Sequence, residues 1–230
     1  MPNIDPELLI QRQEALQATK FSSLRLQVTG VTELGPDVKS VLELGPGSGF
    51  FSTTTKMLGY DTSTADIDPD YNPDYLGDIR EIEIPKTFDL VDSFEVLQHL
   101  PFDEFGGMVK KLADLSNEYV FLSVPSRVHY LKVGFALPAF LTPRRLGFSR
   151  VYGWRSAILT WERPRRSYPP PETWKDRADY WKPHYWEAGR KQYPKKRVIA
   201  EIKNAGLEVI WARHNPDHPH HFFIMARKPS

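Results

Sequence analysis

Val41-Leu42-Glu43-Leu44-Gly45-Pro46-Gly47-Ser48-Gly49 is the stretch from which the rest of the chain can be read. Its first four residues, with Ser40 ahead of them, form a short apolar strand, and residues 50–58 behind it read as a helix. A strand that breaks through alternate glycines into a helix brings bare backbone close to a ligand. The helix also presents unpaired N–H groups and its positive end there. A glycine turn alone serves NAD, FAD, a phosphate or only packing. Three details narrow it. Glu43 precedes the turn, and a carboxylate there opposes a pyrophosphate while suiting a ligand with an ammonium or sulfonium centre. The spacing is Gly-x-Gly-x-Gly, not the Gly-x-Gly-x-x-Gly of dinucleotide folds. Asp66 ends the next strand 21 residues after Gly45, where a carboxylate accepts both hydroxyls of a ribose.

Outward from the turn, strands and helices alternate. Asp5-Pro6 reads as a helix start, with proline at the first helical position, and a second helix is expected over 22–32. Further strands are expected at 62–67, within Ile82-Glu83-Ile84, at 88–94 and at 119–124, with a helix over 102–115. Near the other end a helix over 195–204 stops at Gly206, and strands follow at 207–212 and 221–226. The alternation predicts an α/β fold with a parallel sheet and helices on both faces. The connection 213–220 is too short for a crossover helix, so the last two strands should pair antiparallel. No internal repeat is visible.

Composition sets the outer limits. The chain has 230 residues, enough for one domain or one domain with a lid. Hydrophobic content of 40% with 26% charged residues excludes disorder as a whole-chain description. No run of 18 apolar residues predicts a membrane span, and the N-terminal sequence lacks the basic-then-apolar pattern of a secretory signal. With no cysteine, a disulfide scaffold, a thiolate zinc site and a cysteine nucleophile are excluded, and a cytoplasmic location is expected. The net charge of +1 hides a polarised chain. Residues 127–200 carry 17 Lys/Arg against 5 Asp/Glu, the remainder 13 against 24. The basic segment also holds five of the six tryptophans and Pro169-Pro170-Pro171, and reads as an insertion or lid. Its charge favours an anionic partner over a merely solvated face.

The blocks VLELGPGSG (41–49), ADIDP (65–69), GDI (77–79), FDLVDSFEVLQHLP (88–101) and YVFLSVPS (119–126) resemble, in order and spacing, the class I S-adenosylmethionine (SAM) dependent methyltransferases. The resemblance covers 38–126 well and 195–228 more loosely. It implies a Rossmann-like, seven-stranded, mostly parallel sheet with the last strand antiparallel, and SAM as cofactor. The organisation expected is an N-terminal helical segment (1–37), a SAM-binding core (38–126), an aromatic-basic lid insertion (127–194) and a C-terminal helix and strand pair (195–230). The resemblance also implies roles at matching positions. Glu43, Gly45 and Gly47 line the methionine end. Asp66 holds the ribose, preferred over Asp68, and Ile67 lies against the adenine. Asp78 accepts from the adenine amino group beside Ile79. Phe94 and Glu95 border the methionine moiety and the transferred methyl. Against these stand a turn cap at Asp78 and plain core packing at Phe94.

Methyl transfer from a sulfonium is an in-line displacement in which the protein chiefly aligns the reactants. A base is needed only where the nucleophile must lose a tightly held proton. His99, one helical turn beyond Glu95, is the candidate base, with packing at a helix start as its other reading. His184 and Glu187, in His184-Tyr185-Trp186-Glu187, are second candidates unless that run is an aromatic core anchor. His214, His218, His220 and His221 invite a metal reading, but a loop stiffened by two prolines suits a zinc site poorly, and no metal is expected. Asp68, Asp70 and Asp74 are not placed at the methyl, so no magnesium is expected either.

The insertion interleaves 14 aromatics between Tyr130 and Tyr193 with Arg144, Arg145, Arg163, Arg165 and Arg166. Aromatics stack on sugars and bases, and arginines fork onto phosphates and carboxylates. A small anionic acceptor or glycan, methylated on oxygen in preference to nitrogen, is therefore expected. RNA, and a membrane-surface lipid met by residues 133–141, are alternatives. A SAM-binding protein without turnover is the rival from another class. Oligomeric state has no signature in the sequence.

Overall fold

The computed structural model describes residues 18–136, 154–161 and 184–229. Helix α1 (Ala18–Thr32) contains the helix expected over 22–32. The strands that follow are β1 (Ser40–Leu44), β2 (Asp61–Asp66), β3 (Tyr75–Leu76), β4 (Phe88–Phe94) and β5 (Ser116–Pro125). Helix α2 (Phe50–Met57) joins β1 to β2, and α3 (Phe102–Leu115) joins β4 to β5. After β6 (His129–Ala136) and β7 (Trp154–Trp161) come α4 (Lys195–Asn204), β8 (Glu208–His214) and β9 (His221–Arg227). The helix expected from Asp5, the triple proline, and the arginines at 144, 145, 163, 165 and 166 lie outside the described residues.

Seven strands form one sheet in the order β3-β2-β1-β4-β5-β9-β8. The first five pair in parallel, and β9 pairs antiparallel with both neighbours. This is the expected mostly parallel sheet. Its first reversal of strand order lies at β1 and β4, where a ligand crevice opens at the carboxyl ends of the strands. By itself, the β6/β7 hairpin is an antiparallel ladder from His129 opposite Trp161 to Ala136 opposite Trp154, in a second compact unit.

Alternation along the strands feeds two cores. Leu42, Leu44, Val91 and Leu122 face α3 and α4, where Phe105, Val109, Leu112, Val198 and Ile202 are buried. On the opposite face Val41, Leu90, Phe121 and Phe223 pack with Leu26 and Val31 of α1 and Phe51 of α2. Among the described residues, no helix is long and apolar enough to cross a membrane.

The third strand corrects the sequence expectation. It lies at Tyr75–Leu76, and Ile82 and Ile84 belong to a loop. The reason is Asp74. Its Oδ2 accepts from the Thr64 backbone N–H at 2.8 Å and from the Thr64 hydroxyl at 3.2 Å, so the chain docks on β2 just before Tyr75. Ile82 and Ile84 pack on the core as loop residues, and Lys111 Nζ donates to the Ile82 carbonyl at 2.8 Å.

Candidate active site

The glycine turn is built by conformations that side chains resist. Gly45 has φ +78°, and a Cβ there would lie 2.3 Å from Val96 Cγ2. Gly49, at φ +71°, is the N-cap of α2 and offers no capping side chain, and α2 has no acidic residue in its first turn. The Gly45 N–H donates to the Ala65 carbonyl at 2.9 Å, which fixes the turn beside the end of β2.

A cavity of about 490 Å³ opens over this turn. Glu43, Gly45, Gly47, Phe94, Glu95 and His99, all proposed from sequence, line it. Glu43 is 3% exposed, and its Oε2 has no hydrogen-bond partner. Burial pushes its carboxyl up to about 8, against the opposing effect of Ser52, while Asp66 nearby adds to the rise. A buried acceptor without a donor is a cost that a cationic ligand removes. Phe94 meets Phe51 and Phe121 edge-on, each at 5.0 Å between centroids, so it serves both core and cavity.

Glu95 stands at the turn out of β4 with φ +57°, a left-handed conformation rare outside glycine and asparagine. Its N–H donates to the Ser123 carbonyl at 3.0 Å, and its Oε1 accepts from the Ser123 hydroxyl at 2.9 Å. Burial raises this carboxyl to about 8, and repulsion from Glu187 adds to the rise. His99 ends the 3-10 turn Leu97–His99, and its ring meets that of His184 at 5.2 Å. Burial lowers the His184 pKa, partly opposed by Glu187.

A second cavity of about 230 Å³ shares Glu95, His184 and His221 with the first and adds Glu187, Arg127 and His220. The strap carrying His184 is held at both ends. The Tyr185 N–H donates to the Gln98 carbonyl, and the Ala188 N–H to the Pro125 carbonyl, both at 2.8 Å. Trp186 between them is fully buried, edge-on to Phe102 at 5.0 Å and Phe105 at 4.9 Å, with Nε1 donating to the Leu100 carbonyl at 3.2 Å. The aromatic-anchor reading therefore holds for Trp186, while His184 and Glu187 face the cavities. Arg190 binds Glu187 Oε2 at 2.7 Å.

The adenine-side candidates line neither cavity. Asp66 closes β2, its pKa raised by burial, and its Oδ1 accepts from the Asp68 N–H at 2.9 Å. Asp68 instead caps the turn Pro69–Tyr71, accepting from the Asp70 N–H at 2.9 Å. Ile67 is 49% exposed beside Asp66. Asp78 is gripped by Arg80, which holds its carboxyl below the usual range, and it also accepts from the Arg80 backbone N–H at 2.8 Å. The turn-cap reading of Asp78 is thus realised in the structure. Ile79 packs against the core.

Sequence reasoning missed the contribution of α1. Ser23 and Gln27 line the larger cavity, and Ser23 Oγ lies 3.0 Å from His221 Nδ1. His221 opens β9, as the strand expected at 221–226 implies, and its Nε2 lies 4.0 Å from Glu95 Oε2, a contact the sequence did not show. His214 Nδ1 donates to the Pro219 carbonyl at 2.7 Å, and its Nε2 accepts from Lys195 at 2.8 Å. Among the described residues, no group of three or more His, Asp or Glu side chains is placed to hold a metal ion.

No protein-family model matches the chain, and no curated protein does. Solved structures do. The glycopeptide N-methyltransferase MtfA, complexed with SAM, aligns over 90% of this chain and 94% of its own at 15% identity, with a TM-score of 0.55. Magnesium protoporphyrin IX methyltransferase ChlM from Synechocystis PCC 6803, with bound SAH (S-adenosylhomocysteine), aligns over 92% and 85% at 13% identity, TM-score 0.55. A SAM-dependent methyltransferase from Clostridium acetobutylicum ATCC 824 aligns over 95% and 94% at 11% identity, TM-score 0.54. The fold of this chain is therefore that of the class I SAM-dependent methyltransferases.

Proposed function

We propose that the chain is a SAM-dependent methyltransferase acting on a small acceptor. The observation that carries this reading is the Gly45 turn, closed to any side chain, with the unpartnered Glu43 Oε2 at the wall of the cavity it opens. The residues present fit the cofactor. Glu43 answers its ammonium, and Gly45 and Gly47 let the backbone close on its methionine end. Asp66 accepts from the ribose, and the exposed face of Ile67 supports the adenine. Asp66 closes β2 directly after Ala65, whose carbonyl accepts from the Gly45 N–H, whereas Asp68 lies in the turn beyond, which supports Asp66 over it. Asp78 and Ile79 are assigned to the adenine end, where Asp78 gives up part of its fourfold grip on Arg80 to accept from the adenine amino group.

When bound, SAM supplies a methyl group already activated on a sulfonium. The chain's task is then to align an acceptor and take its proton. Phe94 and Glu95 border the methyl position. The smaller cavity takes the acceptor, and His99, which lines the larger cavity with its ring against that of His184, a residue of both cavities, receives the proton. A hydroxyl is assigned ahead of an amine as the nucleophile. The basic composition of residues 127–200 supports an anionic or glycan acceptor, and the lack of cysteine supports a cytoplasmic setting.

The test is calorimetric titration of SAM into the wild type and an Asp66→Ala variant, with NADH as control. Binding of SAM, loss of it in the variant and no response to NADH are expected. A folded wild type that does not bind SAM would overturn the reading.

A further inference from the structure

We propose, resting on the cofactor reading above, that Glu43 and Asp92 are stored beneath the glycine turn as two neutral acids, and that arrival of a ligand's ammonium group discharges one proton, from Glu43. The pocket thereby selects ligands with an amino-acid tail over the bare nucleoside.

The geometry comes first. Glu43 of β1 and Asp92 of β4 are partners in one parallel ladder, so their side chains leave the sheet on the same face. They are 3% and 0% exposed. Glu43 Oε2 and both oxygens of Asp92 lack hydrogen-bond partners. The groups around them are few. Ser52 of α2, whose Oγ donates to the Gly49 carbonyl at 3.3 Å, and Lys56 of α2 favour the charged form of Glu43, and Asp66 of β2 adds negative charge. The charged group acting on Asp92 is Glu43.

Two dry carboxylates side by side do not both ionise. Burial lifts Glu43 to about 8 and Asp92 well above its ordinary value, Glu43's charge adding to the latter. Glu43 reaches the cavity, and Asp92 lies a strand behind it. An ammonium settling against Glu43 supplies the missing opposite charge. The O–H bond of Glu43 breaks, its proton passes to solvent, and no other bond changes. Asp92 keeps its proton, so the site never holds a second buried charge. It acts as a positioning residue. Proton release is expected near neutral pH and fades as pH rises through about 8, where Glu43 is already ionised.

The experiment is titration of SAH at pH 7 in phosphate and in Tris, whose ionisation heats differ. The wild type should release about one proton per SAH. 5′-Methylthioadenosine, which lacks the amine, should bind without release or not bind. Glu43→Gln should bind SAH at least about tenfold more weakly, with no release, and Asp92→Asn should keep the release. SAH binding whose heat is the same in both buffers overturns the proposal and leaves the cofactor reading standing. Equal release with 5′-methylthioadenosine does the same. No SAH binding by folded wild type overturns both. Carbon-13 NMR of the free protein gives a further check: side-chain carboxyls of Glu43 and Asp92 that titrate below pH 5 refute the neutral pair without any ligand.

Discussion

Glu95 holds a left-handed backbone for which a β-carbon residue is poorly suited, at a strain of about 1–2 kcal/mol. It persists because Ser123 takes both its N–H and its carboxylate, and such outliers gather where geometry serves function. Its raised pKa has a consequence for stability. Between pH 4.5 and about 8 the folded protein keeps a proton on Glu95 that the unfolded chain has lost. Its contribution to stability is therefore full below that window and falls as pH rises through it. Glu95→Gln keeps an acceptor for Ser123 without the titration. Thermal melts should show the variant gaining on the wild type from pH 5 to 8 and no further above; a gap that does not change with pH would refute this. At this scale the sequence was informative for Glu43 and Glu95, because each abuts a local strand-to-turn break. It was silent on Asp92, whose interest lies in its neighbour one strand away.

The strap from His184 to Gly189 shows what one residue does for an element. It has no regular secondary structure, and it is fixed by the Trp186 ring between Phe102 and Phe105 and by the indole hydrogen bond to Leu100. Trp186→Ala should destabilise the protein by about 3–5 kcal/mol in urea unfolding. Because the strap carries His184, it should also weaken any acceptor binding more than cofactor binding. A loss under about 1 kcal/mol would show that the strap is held by its backbone bonds alone. Helices α3 and α4 begin and end where their sequence patterns do, since their apolar faces and stops are local signals. The third strand was misplaced because its position is set by a tertiary bond, Asp74 to Thr64, while the apolar pair Ile82 and Ile84 imitates a strand as a core-facing loop.

Across the whole molecule, the larger cavity is completed by parts far apart in sequence. Ser22 and Ser23 of α1 meet the Asn215 amide at 3.0 and 2.9 Å, and Ser23 also meets His221. No window of sequence contains both ends, so this wall was illegible in advance, whereas the alternating strands and helices made the sheet legible. Ser23→Ala removes one partner from each of Asn215 and His221. With a net hydrogen bond worth about 1 kcal/mol, amide exchange in α1 should accelerate about fivefold. Unchanged exchange, measured by mass spectrometry, would mean that Leu26 and Val31 hold the helix without help.

The order of β5, β9 and β8 in the sheet differs from their order of synthesis. β8 precedes β9 in the chain, yet its place in the sheet is beyond it, so it has no ladder to join until β9 has been made. Until then the nascent chain carries an open edge at β5, with Phe121, Leu122 and Val124 beside it. An open edge of that kind is a place where chaperones act and where neighbouring chains aggregate.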